Sequence, residues 1–381
     1  MIKEIKEYSK KSKTNIKEKV HKENMNQDRS SEFTNSEYIK NQDATTKKTE
    51  YASKQKHMAR TTSLDNHPNI KGYDFEKEFD FLEFMKSYST TGFQGTELFK
   101  GVEITNMMIE DKATIFLSFT GNAISSGLRE IITYLVKNKL VHVLITSASG
   151  IEEDIIKSLN EFKLGDFDVQ GRALFDLGVG RIGNIFVPND RYLYFEKFMT
   201  PFFEKMLKKQ KTLKRPIAPS EMAFDLGCDI NNEGSYLYWA AKNNIPVFCP
   251  GIMDGSFGDL VYFFRQKNKD FFIDVAQDQT KLIDFVLQQE KTGAIILGGG
   301  ISKHYALNAQ IFREGFDYAV YLTTATEYDG SDSGGNCEEA KTWAKIKVNA
   351  PTAKIRSDFT ITFPLLVAGS FCKNKLKPEN K

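Results

Sequence analysis

Ala294-Ile295-Ile296-Leu297-Gly298-Gly299-Gly300 runs from four apolar residues straight into three glycines, and a stretch of helical period follows at 304–312. So short an apolar run, without polar alternation, predicts a strand buried on both faces. Glycines at its end suit a tight turn whose backbone N–H groups approach a nucleotide closely. A plain strand-to-helix turn explains the same residues, and the motif is not G-x-G-x-x-G, so its meaning depends on its surroundings.

Outward from this stretch the pattern repeats. Val/Ile/Phe-rich runs at 114–119, 141–146, 182–187, 246–249, 318–323 and 353–356 predict further strands. Amphipathic segments at 125–137, 152–162, 192–208 and 277–289 predict helices between them. Apolar strands alternating with helices imply a doubly wound, mostly parallel, Rossmann-like α/β sheet with helices on both faces, here as a single large domain. In such sheets ligands bind beyond the carboxyl ends of the strands. The loops expected there are rich in small residues: 120–127, 147–150, 254–259, 298–300, Thr324-Ala325 and Ser357-Asp358.

Composition bounds the rest. Of 381 residues, 40% are hydrophobic, enough for a substantial core. Residues 1–68 carry 15 Lys/Arg against 10 Asp/Glu and few large apolar side chains. They read as a disordered tail, with a short helix conceivable around 2–19. Residues 69–381 carry 37 basic against 40 acidic side chains, which gives no reason to expect a nucleic-acid partner. No apolar stretch is long enough to span a bilayer and no secretory leader pattern opens the chain, so a soluble cytoplasmic protein without a membrane partner is expected. Four dispersed cysteines suggest neither a zinc ribbon nor a disulfide framework.

Acidic residues crowd the expected ligand edge: Glu152, Glu153, Asp154, Asp254, Asp259, Asp329, Asp332, Glu338 and Glu339. Each alone reads as a solvated surface group, but together they suggest a cationic substrate such as an amine. A divalent cation is the rival, although D-G-S-D-S-G lacks EF-hand spacing and no metal is expected. Beyond the tail the chain has two histidines. His142 reads as structural at a strand start, and His304, just past the glycine turn, is a candidate acid or base. In Thr342-Trp343-Ala344-Lys345-Ile346-Lys347-Val348 two lysines alternate with apolar residues. A half-exposed strand explains this, yet a lysine drawn against Trp343 into an apolar pocket would become a Schiff-base nucleophile. These residues alone do not choose between Lys345 and Lys347.

The blocks Tyr318-Ala319-Val320-Tyr321, Glu327-Tyr328-Asp329-Gly330-Ser331-Asp332-Ser333-Gly334 and Trp343-Ala344-Lys345-Ile346 resemble the active-site region of the deoxyhypusine synthases. Gly72-Tyr73-Asp74-Phe75, Thr91-Gly92-Phe93-Gln94, Ile124 to Glu130, Glu152-Glu153-Asp154, Arg181-Ile182-Gly183-Asn184, Asp254-Gly255-Ser256 and Gly298-Gly299-Gly300 with Lys303-His304 extend the likeness in order. The resemblance implies an NAD-dependent enzyme that moves the aminobutyl group of spermidine, as an imine on Lys345, to a lysine of the translation initiation factor 5A precursor. It implies Trp343 along the substrate's methylene chain, Glu153, Asp259, Asp332 and Glu339 as polyamine carboxylates, and His304 beside the reacting carbon. Glu152, Gly330 and Ser331 fall with this substrate group. It implies Asn122, Ser125, Ala148, Asp254, Gly299, Thr324, Ala325 and Asp358 around the dinucleotide, with Gly121, Ser147, Ser149 and Phe359 beside them. A homotetramer with paired sites at subunit interfaces is also implied. Four positions depart from the usual pattern: Gly121 replaces a serine, Ser149 a glycine, Ala344 the glycine of Trp-Gly-Lys, and Phe359 a small residue. Homospermidine synthase and a non-catalytic regulatory paralogue are the alternatives; the latter is expected to lose the lysine or its surroundings, and this chain retains both.

Overall fold

The computed structural model describes residues 64–373, and the tail reading for 1–63 lies outside the described residues. The chain divides between Pro68 and Asn69, and the architecture below is that of the unit beginning at Asn69. Its elements run α1 (Phe81–Ser87), α2 (Phe93–Glu110), β1 (Thr114–Phe119), α3 (Gly121–Ser125), α4 (Leu128–Lys137), β2 (Val143–Ile145), α5 (Ala148–Leu159), β3 (Lys163–Leu164), α6 (Gly171–Asp176), β4 (Val179–Ile182), β5 (Ile185–Pro188) and α7 (Asp190–Leu213). They continue α8 (Pro219–Ile230), α9 (Tyr236–Asn243), β6 (Val247–Phe248), α10 (Ser256–Lys267), α11 (Val275–Leu287), β7 (Thr292–Leu297), α12 (Gly300–Ala309), β8 (Tyr318–Thr323), α13 (Cys337–Thr342), β9 (Thr352–Arg356) and α14 (Phe359–Gly369).

Six strands form one all-parallel sheet in the order β6-β2-β1-β7-β8-β9. Strand side chains alternate between faces, so a strand without polar alternation must be covered twice. That is what happens: Leu117, Phe119, Ile295, Leu297, Val320 and Leu322 join one core with α2, α4, α5, α7 and α14. Phe116, Ala294, Ile296, Ala319 and Tyr321 join a second core with α11 and α12, where Phe116 meets Phe316 edge-on at 5.3 Å. The doubly wound expectation holds. Among the described residues no helix is long and apolar enough to cross a membrane.

Three local expectations are corrected. The run 182–187 is not a sheet strand; it turns at Gly183-Asn184, with Gly183 at φ +58°, into the β4–β5 hairpin of a separate three-stranded antiparallel sheet. A two-residue Gly-Asn loop is a hairpin signal that outweighs continuous apolar character. The helix expected over 125–137 is broken, because Ser126 is extended at ψ 179° between α3 and α4. The half-exposed strand that would explain the alternation at 342–348 reduces to one bridge, Phe316 to Ile346. His142 is structural as read: its Nδ1 accepts the Ile115 N–H at 3.0 Å.

Candidate active site

Two connected sets of loops meet beyond the strand ends. The turns after β1, β7, β8 and β9 enclose a cleft of about 450 Å³ lined by Thr120, Asn122, Gly298 to Gly300, Thr323, Thr324, Ser333 and Asp358 to Thr360. Gly298 and Gly300 take φ +79° and +70°, a region that favours glycine. A Cβ on Gly299 would overlap Ser333, lying 2.5 Å from its Cβ. The cleft is therefore floored by bare backbone, and Asp358 caps α14 by accepting the Thr360 N–H at 2.8 Å.

Of the expected dinucleotide group, Asn122, Gly299, Thr324, Asp358 and Phe359 line this cleft. Backbone amides unobstructed by side chains, a carboxylate for ribose hydroxyls and an aromatic face fit a dinucleotide. Gly121, Ser125, Ser147, Ala148 and Ser149 form a buried or half-buried layer beside it: Gly121 N–H donates to Ser147 Oγ at 3.1 Å, and Ser125 Oγ lies against Gly121 O and the Glu153 carboxyl. Asp254 and Ala325 do not line the cleft; Ala325 N–H is turned onto Thr323 Oγ1 at 3.1 Å. Ser333 was missed, because it arrives from the loop after β8 and only the close pass at Gly299 makes it a wall.

The second site is a tight cavity of about 20 Å³ lined by Lys303, Leu307, Tyr321, Asp332, Gly335, Asn336, Glu339, Ala340, Trp343 and Lys345. Here the two lysines separate. Lys347 Nζ donates to Asp317 Oδ1 at 2.6 Å, whereas Lys345 Nζ lies 3.3 Å from His304 Nε2 and 5.9 Å from the Trp343 ring centroid. Lys347 is thus tied up in an ion pair, whereas among the described residues Lys345 has none. The expected dry, aromatic-walled slot is not complete within one chain, since Trp343 is 64% exposed and His304 is exposed. Gly330 and Ser331 do not line the cavity; Gly330 at φ +71° and the Ser331 N–H on Asp329 Oδ1 shape the turn that delivers Asp332.

Lys303, quoted above without a role, is the hidden support of this cavity. Only 2% exposed, it donates to Asp332 O at 2.5 Å and Gly335 O at 2.9 Å and lies 4.7 Å over the Tyr321 ring. Burial holds its pKa below the usual lysine value, against the opposing pull of Asp332. A lysine in a lysine-histidine pair carries no sequence mark of such a role.

The acidic cluster divides in two. Asp332 and Glu339 line the Lys345 cavity, while Glu152, Glu153, Asp254 and Asp259 lie past β2 and β6. β2 and β8 are three strands apart, roughly 14 Å at about 4.8 Å per strand, and β6 lies one strand further out. Burial raises Glu152, the Phe257 N–H at 2.9 Å opposes this, and Asp259 and Asp254 raise it further. Burial pushes Glu153 up to about 8 despite the Ser125 hydroxyl, with Glu152 adding repulsion. Asp154 is no ligand: fully buried, it pairs with Arg129 at 2.7 Å and accepts from Ser235 at 2.5 Å. Asp329 holds its own turn, and Glu338 pairs with Lys341 on the surface.

Residues 83–370 match the family model described as deoxyhypusine synthase. The deoxyhypusine synthase of Senecio vernalis is 45% identical over 332 residues, covering 80% of this chain and 90% of the relative. Homospermidine synthase 2 of the same plant is 45% identical over 334 residues, covering 81% and 90%. A crystal structure assigned to a deoxyhypusine synthase from Entamoeba histolytica superposes with a TM-score of 0.58 at 26% identity, covering 80% of this chain and 97% of that one. With its lysine, histidine and acidic cavity in place and this likeness along most of its length, the chain is an enzyme that belongs to the deoxyhypusine synthase family.

Proposed function

We propose that this chain catalyses the NAD-dependent transfer of the 4-aminobutyl group of spermidine, held as an imine on Lys345, to a lysine of the translation initiation factor 5A precursor. The observation that carries this reading is the 3.3 Å approach of Lys345 Nζ to His304 Nε2 beside Asp332 and Glu339. An amine attacks carbon only through a free lone pair, so an imidazole placed to take up its proton is what the step needs. Asp332 and Glu339 complement the cationic ends of a polyamine, and the Trp343 face suits its methylene middle.

Asn122, Gly299, Thr324, Asp358 and Phe359 would hold NAD, which would supply the acceptor for a hydride from spermidine and the donor for the final reduction, leaving no net oxidation. Once the secondary amine of spermidine has become an imine, Lys345 Nζ adds to its carbon. The carbon–nitrogen bond to 1,3-diaminopropane breaks, and that amine leaves with the proton passed on through His304. The acceptor lysine then displaces Lys345 in the same way, restoring the free amine. Homotetramer assembly in the cytoplasm belongs to this reading, because a second copy over the exposed Trp343 would close the slot from water.

Incubation with NAD and spermidine, reduction with borohydride and mass spectrometry of the digest test the proposal. A butylamine adduct on Lys345 with release of 1,3-diaminopropane is expected, and an unmodified Lys345 overturns it. The equal match to a homospermidine synthase favours one second reading, in which putrescine is the acceptor. Parallel assays with the protein acceptor and putrescine separate the two.

A further inference from the structure

Gly121 opens α3 and Ser149 lies in the first turn of α5, so the two follow the adjacent strands β1 and β2. They meet sterically: a Cβ built on Gly121 would lie 2.5 Å from Ser149 Cβ and would overlap its hydroxyl oxygen. Carbon atoms rest about 3.5 Å apart or more, so side chains at the two positions exclude each other. A polar chain surrounds the contact. Gly121 N–H donates to Ser147 Oγ at 3.1 Å, Ser147 Oγ and Ser149 Oγ share a hydrogen bond at 2.8 Å, and Ser125 Oγ lies 3.2 Å from Gly121 O. Gly121 is buried and Ser149 half-buried. The next residue, Asn122, is a wall of the glycine-floored cleft, so whatever fixes Gly121 also fixes how Asn122 is presented.

We infer that Gly121 and Ser149 act as one exclusive pair that sets dinucleotide affinity: the hydroxyl group comes from position 149, and position 121 must stay bare to admit it. The inference rests on the reading of the cleft as the NAD site. Neither residue touches Lys345 or the acidic cavity, so the pair is a specificity determinant and not a part of the transfer chemistry.

The test titrates NADH, through its fluorescence, into the full chain and three variants, each also melted without cofactor. Gly121→Ser is expected to weaken NADH binding by about tenfold or more, and Ser149→Gly alone by only about two- to fivefold. Combining them should restore affinity to within about threefold of the parent, the signature of a coupled pair. Gly121→Ser with Ser149→Ala should not recover, since alanine keeps the Cβ that stands 2.5 Å from the new side chain. Additive losses, or a double variant as weak as Gly121→Ser, overturn the inference. If Gly121→Ser alone fails to fold, recovery of the parental melt in the Gly121→Ser/Ser149→Gly chain reads the same exclusion, and its absence refutes it. A parent chain that binds no NADH removes the NAD reading itself, an outcome distinct from additive losses in a chain that binds.

Discussion

Lys347 Nζ is held 2.6 Å from Asp317 Oδ1, while the backbone on either side of it locks onto Phe316: Phe316 N–H donates to Lys345 O, and Lys347 N–H to Phe316 O, each at 3.0 Å. Thr292 N–H and Arg313 close the same carboxylate at 2.9 and 3.0 Å. Burial works to raise the Asp317 pKa, but these hydrogen bonds outweigh it and hold the group below the usual aspartate value. Lys347 is therefore an anchor that sets the register in which Lys345 meets His304.

The two lysines should respond differently. Lys345→Ala is expected to abolish the borohydride-trapped adduct while NADH binding survives. Lys347→Ala should still form the adduct, slowed by about 10- to 100-fold as the nucleophile drifts from its partner. Trapping rates by mass spectrometry decide; an adduct retained in Lys345→Ala, or lost entirely in Lys347→Ala, exchanges the two roles.

Glu153 predicts a pH signature. Its folded pKa of about 8 lies above the ordinary 4.5, so the folded chain keeps a proton that the unfolded chain gives up. The favourable contribution is complete below pH 4.5 and is lost as pH rises to about 8. Glu153→Gln removes this slope. The variant should melt with the parent near pH 4.5 and above it near pH 8, by about 3–10 °C for a domain of this size. Melting curves without ligand across that range check it, and parallel curves for variant and parent would show that Glu153 ionises normally.

Ala344 stands at φ +54°, between the exposed Trp343 and Lys345, where an L side chain crowds its own backbone. The resemblance implies a glycine at this position; the conformation shows what alanine costs there. Ala344→Gly should stabilise the fold by about 1 kcal/mol, and Ala344→Val should destabilise it by more. Thermal melts test the order of the three chains.

Much of this was legible because burial on both faces leaves a plain mark. The strands 294–297 and 318–323 could be read as apolar runs, and the ligand edge followed from the small residues after them. What was not legible depended on meetings between distant segments. Nothing near Asp154 announces that Arg129 and Ser235 will claim it, so it read like its neighbours Glu152 and Glu153. The alternation at 342–348 mimics a strand, but Ile346 is buried through one bridge to Phe316 and the segment pairs no further. Lys345 and Lys347 have the same local pattern, and two distant residues separate them: Asp317, which pairs with Lys347, and His304, which meets Lys345.

The glycine floor yields the last prediction. At Gly299 the space for a Cβ is occupied by Ser333 backbone as well as its side chain, whereas at Gly121 the nearest obstruction is the Ser149 side chain. A side-chain obstruction can be trimmed; a backbone one cannot. Gly299→Ala should therefore weaken NADH binding by about 100-fold, in the range expected when a close backbone approach is lost. Adding Ser333→Gly should recover little of it, because Ser333 Cα remains in the way. Strong recovery in that double variant, measured by the same NADH titration, would show that the Ser333 side chain alone forms the wall and that the loop after β8 can yield.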